Sequence, residues 1–216
     1  DEDLAELEKL LERGKLNGVP QMEMIDGDEM RRREPMVRPD TVGGLWIPSG
    51  GISDPFAATV AAAENAVMNG VELKLNTSFE GFLMEGSRIT GVRTNQGDFE
   101  ARWVVNAAGL YADDVMHKAG VRPEFTIRPR RGEYIILDKA DFQLTRPTIL
   151  FPTPSDKGKG ILVASTLHGN IIVGPKANFV DSKENKDVTR EGIQEIWSGG
   201  SKLVPSINRK HIIAEF

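Results

Sequence analysis

Three short stretches hold side chains of the kind that perform chemistry. In "RPRRGEYIILD", residues 128–138, arginines and a glycine stand at the mouth of a strand, with Glu133 and Tyr134 just inside it. The bidentate fork of Arg131 suits an anionic substrate, and the Tyr134 hydroxyl could reach into the same cavity. The same cluster is also the pattern of a surface salt-bridge patch. In "TLHGNIIVGPKAN", residues 166–178, one strand ends at Thr166 to His168, Gly169-Asn170 forms a hairpin turn, and the next strand begins at Ile171 to Val173, before Gly174-Pro175. His168 is therefore the candidate general base or substrate contact, although a histidine in a hairpin turn is as readily a solvated one. In "WVVNAAGLYADD", residues 103–114, a buried strand over Trp103 to Val105 runs into Ala107, Ala108 and Gly109. Small residues there let a flat or phosphorylated ligand approach the backbone, or let a helix pack tightly. Strand, glycine turn and helix together look like one edge of a dinucleotide site, yet the G-x-G-x-x-G fingerprint occurs nowhere among the 22 glycines.

Other chemistries are excluded more firmly. No Ser-His-Asp set or glycosidase-type carboxylate pair can be defended from spacing, and the neighbours Asp113 and Asp114 read as the polar face of a helix. Zero cysteines rule out disulfides and thiolate catalysis, and the isolated His117, His168 and His211 offer no metal spacing. With a net charge of −5, and basic residues scattered apart from Arg31-Arg32-Arg33 and the Arg128 to Arg131 region, the chain lacks the electrostatic footprint of a nucleic-acid binder. Its 216 residues, 39% hydrophobic and 27% charged, suffice for one large or two small domains. No apolar run approaches the roughly 20 residues that span a bilayer, and the opening "DEDLAELEKL" is acidic where a signal peptide would be basic. A cytoplasmic location is the default, with membrane association only peripheral if any. The chain opens without Met inside an amphipathic pattern and stops on the strand-like "RKHIIAEF", so both ends read as cuts through a longer protein.

The elements that must position these residues follow from periodicity and caps. Residues 2–13 read as a helix stopped near Gly14 and Gly18, and "DGDEMRRREP" as a short helix begun at Asp26 or Asp28, with the arginines as its solvated face. "GGLWIP" is a short strand, and "SGGISDP" a turn. Asp54 as N-cap, Pro55 at the first helical position, an apolar stripe of Phe56, Val60, Ala63 and Val67, and Gly70 past the end define a helix over 54–69. From Val71 the period changes to two: "VELKLN" reads as a short strand, followed by a meander through "SFEGFLMEG", "RITGVRTNQG" and "DFEARWVVNAAG". A helix at 111–119 closes that unit. Strands near 126–137, 147–152, 160–166 and 170–174 follow, with turns at 152–160, and "TREGIQEIWSGGSKL" begins as a capped helix. The fold class is α+β, with mostly antiparallel or mixed strands in two intermingled lobes.

Taken in order, "DEMRRREP", "GGLWIPSGGISDPFAATVAAAENAVMNGVEL", "VVNAAGLYAD", "RPRRGEYIILD", "ILFPTP", "HGNIIVGPKA" and "IIAEF" resemble the FAD-dependent amino-acid-oxidase-like superfamily, and within it the glycerol-3-phosphate dehydrogenase branch. The likeness runs from about Gly27 to Phe216. It implies that the G-x-G-x-x-G segment lies upstream of this chain and a Gly-x-Arg motif downstream, so that the chain is the middle of such an α/β flavoprotein. On that likeness, 1–46 and 124–216 belong to the substrate domain, and 47–123 to a partial FAD-binding domain. Phe79 would touch the adenine end of FAD through its backbone, and Ala107, Ala108 and Gly109 would line the adenosine and pyrophosphate side. Ile52, Ser53, Arg131, Tyr134, His168 and Gly174 would lie near the substrate cavity, His168 as the catalytic base.

The implied reaction is oxidation of glycerol 3-phosphate to dihydroxyacetone phosphate, with hydride passing to flavin N5 and a base taking the hydroxyl proton. The implied partners are a small anionic substrate and an electron acceptor that is a quinone, oxygen or a partner subunit. An L-2-hydroxyglutarate oxidase or dehydrogenase has a similar "RGEY" strand and "GP-A" turn and is the alternative. A reading from another class is an isolated non-catalytic binding or interaction domain. Without both flanking motifs, this chain alone is expected to bind flavin poorly or not at all and to be inactive.

Overall fold

The computed structural model describes residues 2–139, 144, 148–155 and 158–216. The chain forms two compact units, one taking in the residues up to Asp54, Arg131–Asn178 and Lys186–Phe216, the other Pro55–Arg130 and Phe179–Asn185. The class is α+β, and every strand pairing whose register is defined among the described residues is antiparallel.

In the first unit, helix α1 (Glu2–Leu16) places Glu2 and Asp3 in its first turn and Arg13 and Lys15 in its last, which complements the helix dipole. It runs past Gly14, where the sequence suggests a stop. Gly14 is buried, and a β-carbon there would fall 2.2 Å from the Met22 sulfur, so this glycine serves close packing. Strands β1 (Glu23–Asp26) and β2 (Gly43–Trp46) pair with Glu23 opposite Trp46. Between them Asp26 caps α2 (Gly27–Arg33), accepting from the Glu29 N–H at 2.8 Å. The arginine triplet is not simply a solvated face. Arg31 donates to the carbonyls of Pro39 and Thr41 at 2.9 and 2.6 Å, tying down the loop after α2. Arg33 bridges Glu29 and Glu23 and stands 4.8 Å over the Trp46 ring.

The larger sheet of this unit has the order β10-β6-β9-β8-β7, from β6 (Arg130–Leu137), β7 (Ile149–Leu150), β8 (Leu162–Ser165), β9 (Ile171–Phe179) and β10 (Ile212–Glu215). Two differences from the sequence reading stand out. β6 starts at Arg130 rather than near 126, and β9 carries on through Gly174 and Pro175 to Phe179. Pro147, expected within the strand at 147–152, and Asp156 and Lys157, expected in the turns at 152–160, lie outside the described residues. Helix α5 (Arg190–Leu203), capped by Thr189, covers one face of the sheet. The core lies between them: Ile135, Leu137, Val163, Ile171 and Val173 from the strands meet Ile196, Val204 and Ile207. α5 comes close because Gly200 lacks a side chain, a β-carbon there falling 2.5 Å from Val173 Cγ1.

In the second unit α3 (Pro55–Met68) starts at the expected proline and ends at Gly70, whose φ of 92° lets the Val71 N–H return to the Ala66 carbonyl at 3.0 Å. Of its apolar stripe Ala63 is half-buried, whereas Phe56, Val60 and Val67 are exposed, Phe56 to 82%. Strands β3 (Phe79–Glu85), β4 (Arg88–Thr94) and β5 (Gly97–Glu100) make the meander in sequence order. A 3-10 turn, Gly109–Tyr111, leads into α4 (Ala112–Lys118).

Two expected strands are absent among the described residues. Residues 71–76 form no ladder, and neither does Trp103 to Val105, which also is not buried: Trp103 is 89% and Val105 86% exposed. Both segments have apolar alternation, but a ladder needs a second backbone to pair with, and no described strand lies beside either.

Candidate functional site

In the first unit the candidate residues separate along strand β6. Side chains alternate across a strand, so Arg131 and Glu133 share the face that carries Ile135 and Leu137 under α5, while Tyr134 lies on the opposite face. On Tyr134's face stand the glycines. A β-carbon at Gly174 would fall 2.7 Å from Tyr134 Cδ1, and one at Gly132 would fall 3.4 Å from Cε2. Phe216 stacks on Tyr134 at 5.4 Å between centroids and 17° between planes, and the backbones of the two residues exchange hydrogen bonds of 2.8 and 3.1 Å. Tyr134, Gly174 and Phe216 are therefore one cluster. Phe216 was not among the expected site residues. Nothing local in "IIAEF" signals that its strand pairs with β6.

Arg131 does not share that cluster. Its guanidinium donates to Glu133 at 2.7 Å, with the two side chains 12% and 1% exposed. Glu133 also accepts from the Thr189 N–H at 3.0 Å and from the Thr189 hydroxyl at 2.9 Å. Burial alone would raise the Glu133 pKa, but the Thr189 N–H, the Arg131 guanidinium and the Thr189 hydroxyl together hold it below the usual carboxylate value. Thr189 in turn accepts from the Gly192 N–H at 3.0 Å as the α5 cap. Glu133 therefore fastens β6 to the start of α5. This is the salt-bridge reading of "RRGEY", realised in the interior rather than on the surface.

His168 is not brought to Tyr134 either. It lies exposed at the tip of the β8–β9 hairpin, and its carbonyl accepts from Lys139 Nζ at 3.0 Å. Gly174 pairs with Leu162 at the other end of that hairpin, and the three residues from Ile171 to Gly174 alone span ~10 Å. Ile52 and Ser53 lie in the loop that joins β2 to α3, Ile52 half-buried and Ser53 exposed.

In the second unit Phe79 opens β3 opposite Thr94, with its ring edge-on to Phe82 at 4.9 Å. Ala107, Ala108 and Gly109 are exposed, Gly109 has φ 54°, and no atom lies within 4 Å of where its β-carbon would be. The turn's shape is fixed by Asn106, whose side chain accepts from the Ala108 N–H at 3.3 Å and donates to the Ala112 carbonyl at 2.8 Å. An asparagine at the head of a turn is a signal that sequence reasoning could have used.

Asp114 stays on the exposed face of the helix and Asp113 is buried, and both pair with Lys183 Nζ, at 2.7 Å each. Asp113 also accepts from the Ile127 N–H at 2.9 Å. The Lys183 ammonium, with that N–H, lowers the Asp113 pKa to about 2 against burial, and the two carboxylates raise that of Lys183. No local pattern announces this pair, whose members are 70 residues apart.

The open backbone at Ala107 to Gly109 fits the flank of a dinucleotide, which needs close approach and small side chains. Among the described residues no group of three or more His, Asp or Glu side chains could hold a metal ion, and no helix is long and apolar enough to cross a membrane.

Comparison with known proteins identifies the family. The model of the family "FAD dependent oxidoreductase" matches residues 1–216. A glycerol 3-phosphate dehydrogenase of Caloramator mitchellensis is 34% identical over 100% of this chain and 44% of its own length. An L-2-hydroxyglutarate dehydrogenase of Escherichia coli is 32% identical over 85% of this chain and 43% of its own. Among solved structures, the dithionite-reduced L-α-glycerophosphate oxidase of Mycoplasma pneumoniae with FAD bound superposes with a TM-score of 0.87, at 29% identity, over 99% of this chain and 57% of that one. The chain spans about half the length of the curated relatives it matches. With its open Ala107–Gly109 turn, its meander and its antiparallel sheet, the chain belongs to the FAD dependent oxidoreductase family.

Proposed function

We propose that this chain serves a flavoenzyme that oxidises glycerol 3-phosphate to dihydroxyacetone phosphate. The observation that carries the reading is likeness over the whole chain, to a glycerol 3-phosphate dehydrogenase in sequence and to a glycerophosphate oxidase in structure. The second unit would hold the adenosine side of FAD, through the Phe79 backbone and the open turn of Ala107, Ala108 and Gly109. When bound, FAD supplies the acceptor for the two electrons that leave the secondary carbon of the substrate. The first unit would supply the substrate face. Tyr134 offers an aromatic wall and a hydroxyl, Gly174 leaves room against it, and Ile52 and Ser53 would line the approach.

Arg131 is assigned to Glu133 rather than to the substrate, because its fork already holds a buried carboxylate. The phosphate clamp and the base are assigned to residues outside this chain, and a quinone, oxygen or a partner subunit would take the electrons onward. The chain by itself, holding of the cofactor site only the adenosine side, would retain little FAD and turn nothing over. A cytoplasmic enzyme with peripheral membrane association at most is consistent with that chemistry.

A second reading is an L-2-hydroxyglutarate dehydrogenase, favoured by the Escherichia coli relative at 32% identity. Steady-state assays of the intact reading frame with an artificial acceptor test the proposal. Dihydroxyacetone phosphate is expected from glycerol 3-phosphate, with kcat/KM for unphosphorylated glycerol lower by about 10⁴-fold, the scale on which a site built to hydrogen-bond a substrate group rejects the analogue lacking it. Equal rates on both would overturn it.

A further inference from the structure

We infer that Lys183 is a positioning residue for the Asn106–Ala112 turn, holding it in the shape that receives the adenine dinucleotide; this rests on the cofactor reading above. The turn needs an external hold. Residues 102–111 are exposed and no described strand pairs with them, so no sheet fixes their path. The following helix, α4, has only seven residues, too few to be stable by its own hydrogen bonds. What ties it down is Asp113, its one buried residue, which receives the Ile127 N–H and the Lys183 ammonium. Lys183 also pairs with Asp114 and lies 5.4 Å over the ring of Tyr111, the last residue of the 3-10 turn that begins at Gly109.

Lys183 is itself firmly presented. It follows Ser182 in a tight turn in which the Asn185 N–H reaches the Ser182 carbonyl at 3.2 Å, and the Glu184 N–H reaches the Ser182 hydroxyl at 3.2 Å. That turn is anchored by the Val180 N–H on the Pro129 carbonyl at 3.1 Å and by Arg128 over the Phe179 ring at 4.7 Å. A single ammonium thus spans the first turn of α4 and the aromatic ring just before it. Asn106 closes the turn from within, and Lys183 holds it from outside.

The test uses the intact reading frame that encodes this chain, stripped of flavin and titrated with FAD by fluorescence. Lys183→Met is expected to weaken FAD binding by roughly 10-fold, the scale of loss when an outer-shell partner of a bound ion is removed. At saturating FAD, kcat is expected to change little, and Lys183→Arg is expected to restore most of the affinity. Ala108→Leu, which crowds the turn itself and leaves the Lys183 side chain unchanged, reports on the cofactor reading separately. If Ala108→Leu weakens FAD and Lys183→Met does not, the role of Lys183 is overturned and the cofactor reading stands. If neither weakens it, both fall, and a loss in Lys183→Met alone overturns the proposal because the turn is then not the route. Should Lys183→Met not fold, Lys183→Gln, which drops the charge and keeps a donor, is measured on the same terms, and unchanged affinity overturns the proposal.

Discussion

Tyr134 packs directly over Gly174, so closely that a β-carbon on the glycine would stand 2.7 Å from Tyr134 Cδ1 and 2.9 Å from the Glu133 carbonyl oxygen. Gly174 also has φ 137°, a conformation that side chains resist. Gly174→Ala is therefore expected to destabilise the protein by about 1–3 kcal/mol, the usual cost of overpacking, and to push the Tyr134 ring off Phe216. Thermal unfolding gives the first effect. A higher KM for substrate, with flavin content unchanged, gives the second.

Glu133 is the buried joint between β6 and α5. Glu133→Ala removes one partner of a buried ion pair and leaves Arg131 facing the interior, an expected loss of about 3–5 kcal/mol. Thr189→Ala removes the α5 cap and one donor to Glu133 and is expected to cost about 1 kcal/mol. The two residues touch, so their double mutant should be less destabilised than the sum. Chemical denaturation of the three variants measures this coupling, and full additivity would contradict the joint.

Asp113 and Glu133 both ionise more readily in the folded chain than their ordinary values of 3.8 and 4.5. A depressed folded pKa stabilises the protein above the ordinary value, and the gain is lost as pH falls through the folded one. For Asp113, whose folded value is about 2, the loss spans about pH 4 to pH 2. Asp113→Asn should therefore melt below the parent at neutral pH, and the gap should close as pH approaches 2. A gap independent of pH would contradict the assignment.

His168, exposed at the hairpin tip, is far from Tyr134 along β9. His168→Ala is expected to keep kcat/KM within about 3-fold of the parent, whereas removal of a general base costs about 10²-fold or more. A loss of that larger size would return the histidine to the site.

How much of this was legible in the sequence depended on whether a signal was local. Asp26, Pro55, Gly70 and Thr189 announced helix ends, because caps and breakers act within a few residues, and those elements formed. Apolar alternation marked β3 and β4 correctly, yet misled at Val71 to Asn76 and at Trp103 to Val105, where the described chain has no strand to pair with them. The small residues of "NAAG" were readable as an open backbone, and the turn is open. Arg131 and Tyr134 were read as sharing a cavity because they are close in sequence, although the two-residue period of a strand sets them on opposite faces. Lys183 and Phe216 were invisible, since each acquires its partner from a distant segment.

The most direct test of the central claim is made on the intact reading frame, purified with its flavin and kept anaerobic. Glycerol 3-phosphate and L-2-hydroxyglutarate are added in turn while flavin absorbance is followed. Bleaching by glycerol 3-phosphate and not by L-2-hydroxyglutarate is the expected result. Bleaching by the hydroxy acid alone, or by neither, would contradict the proposed substrate.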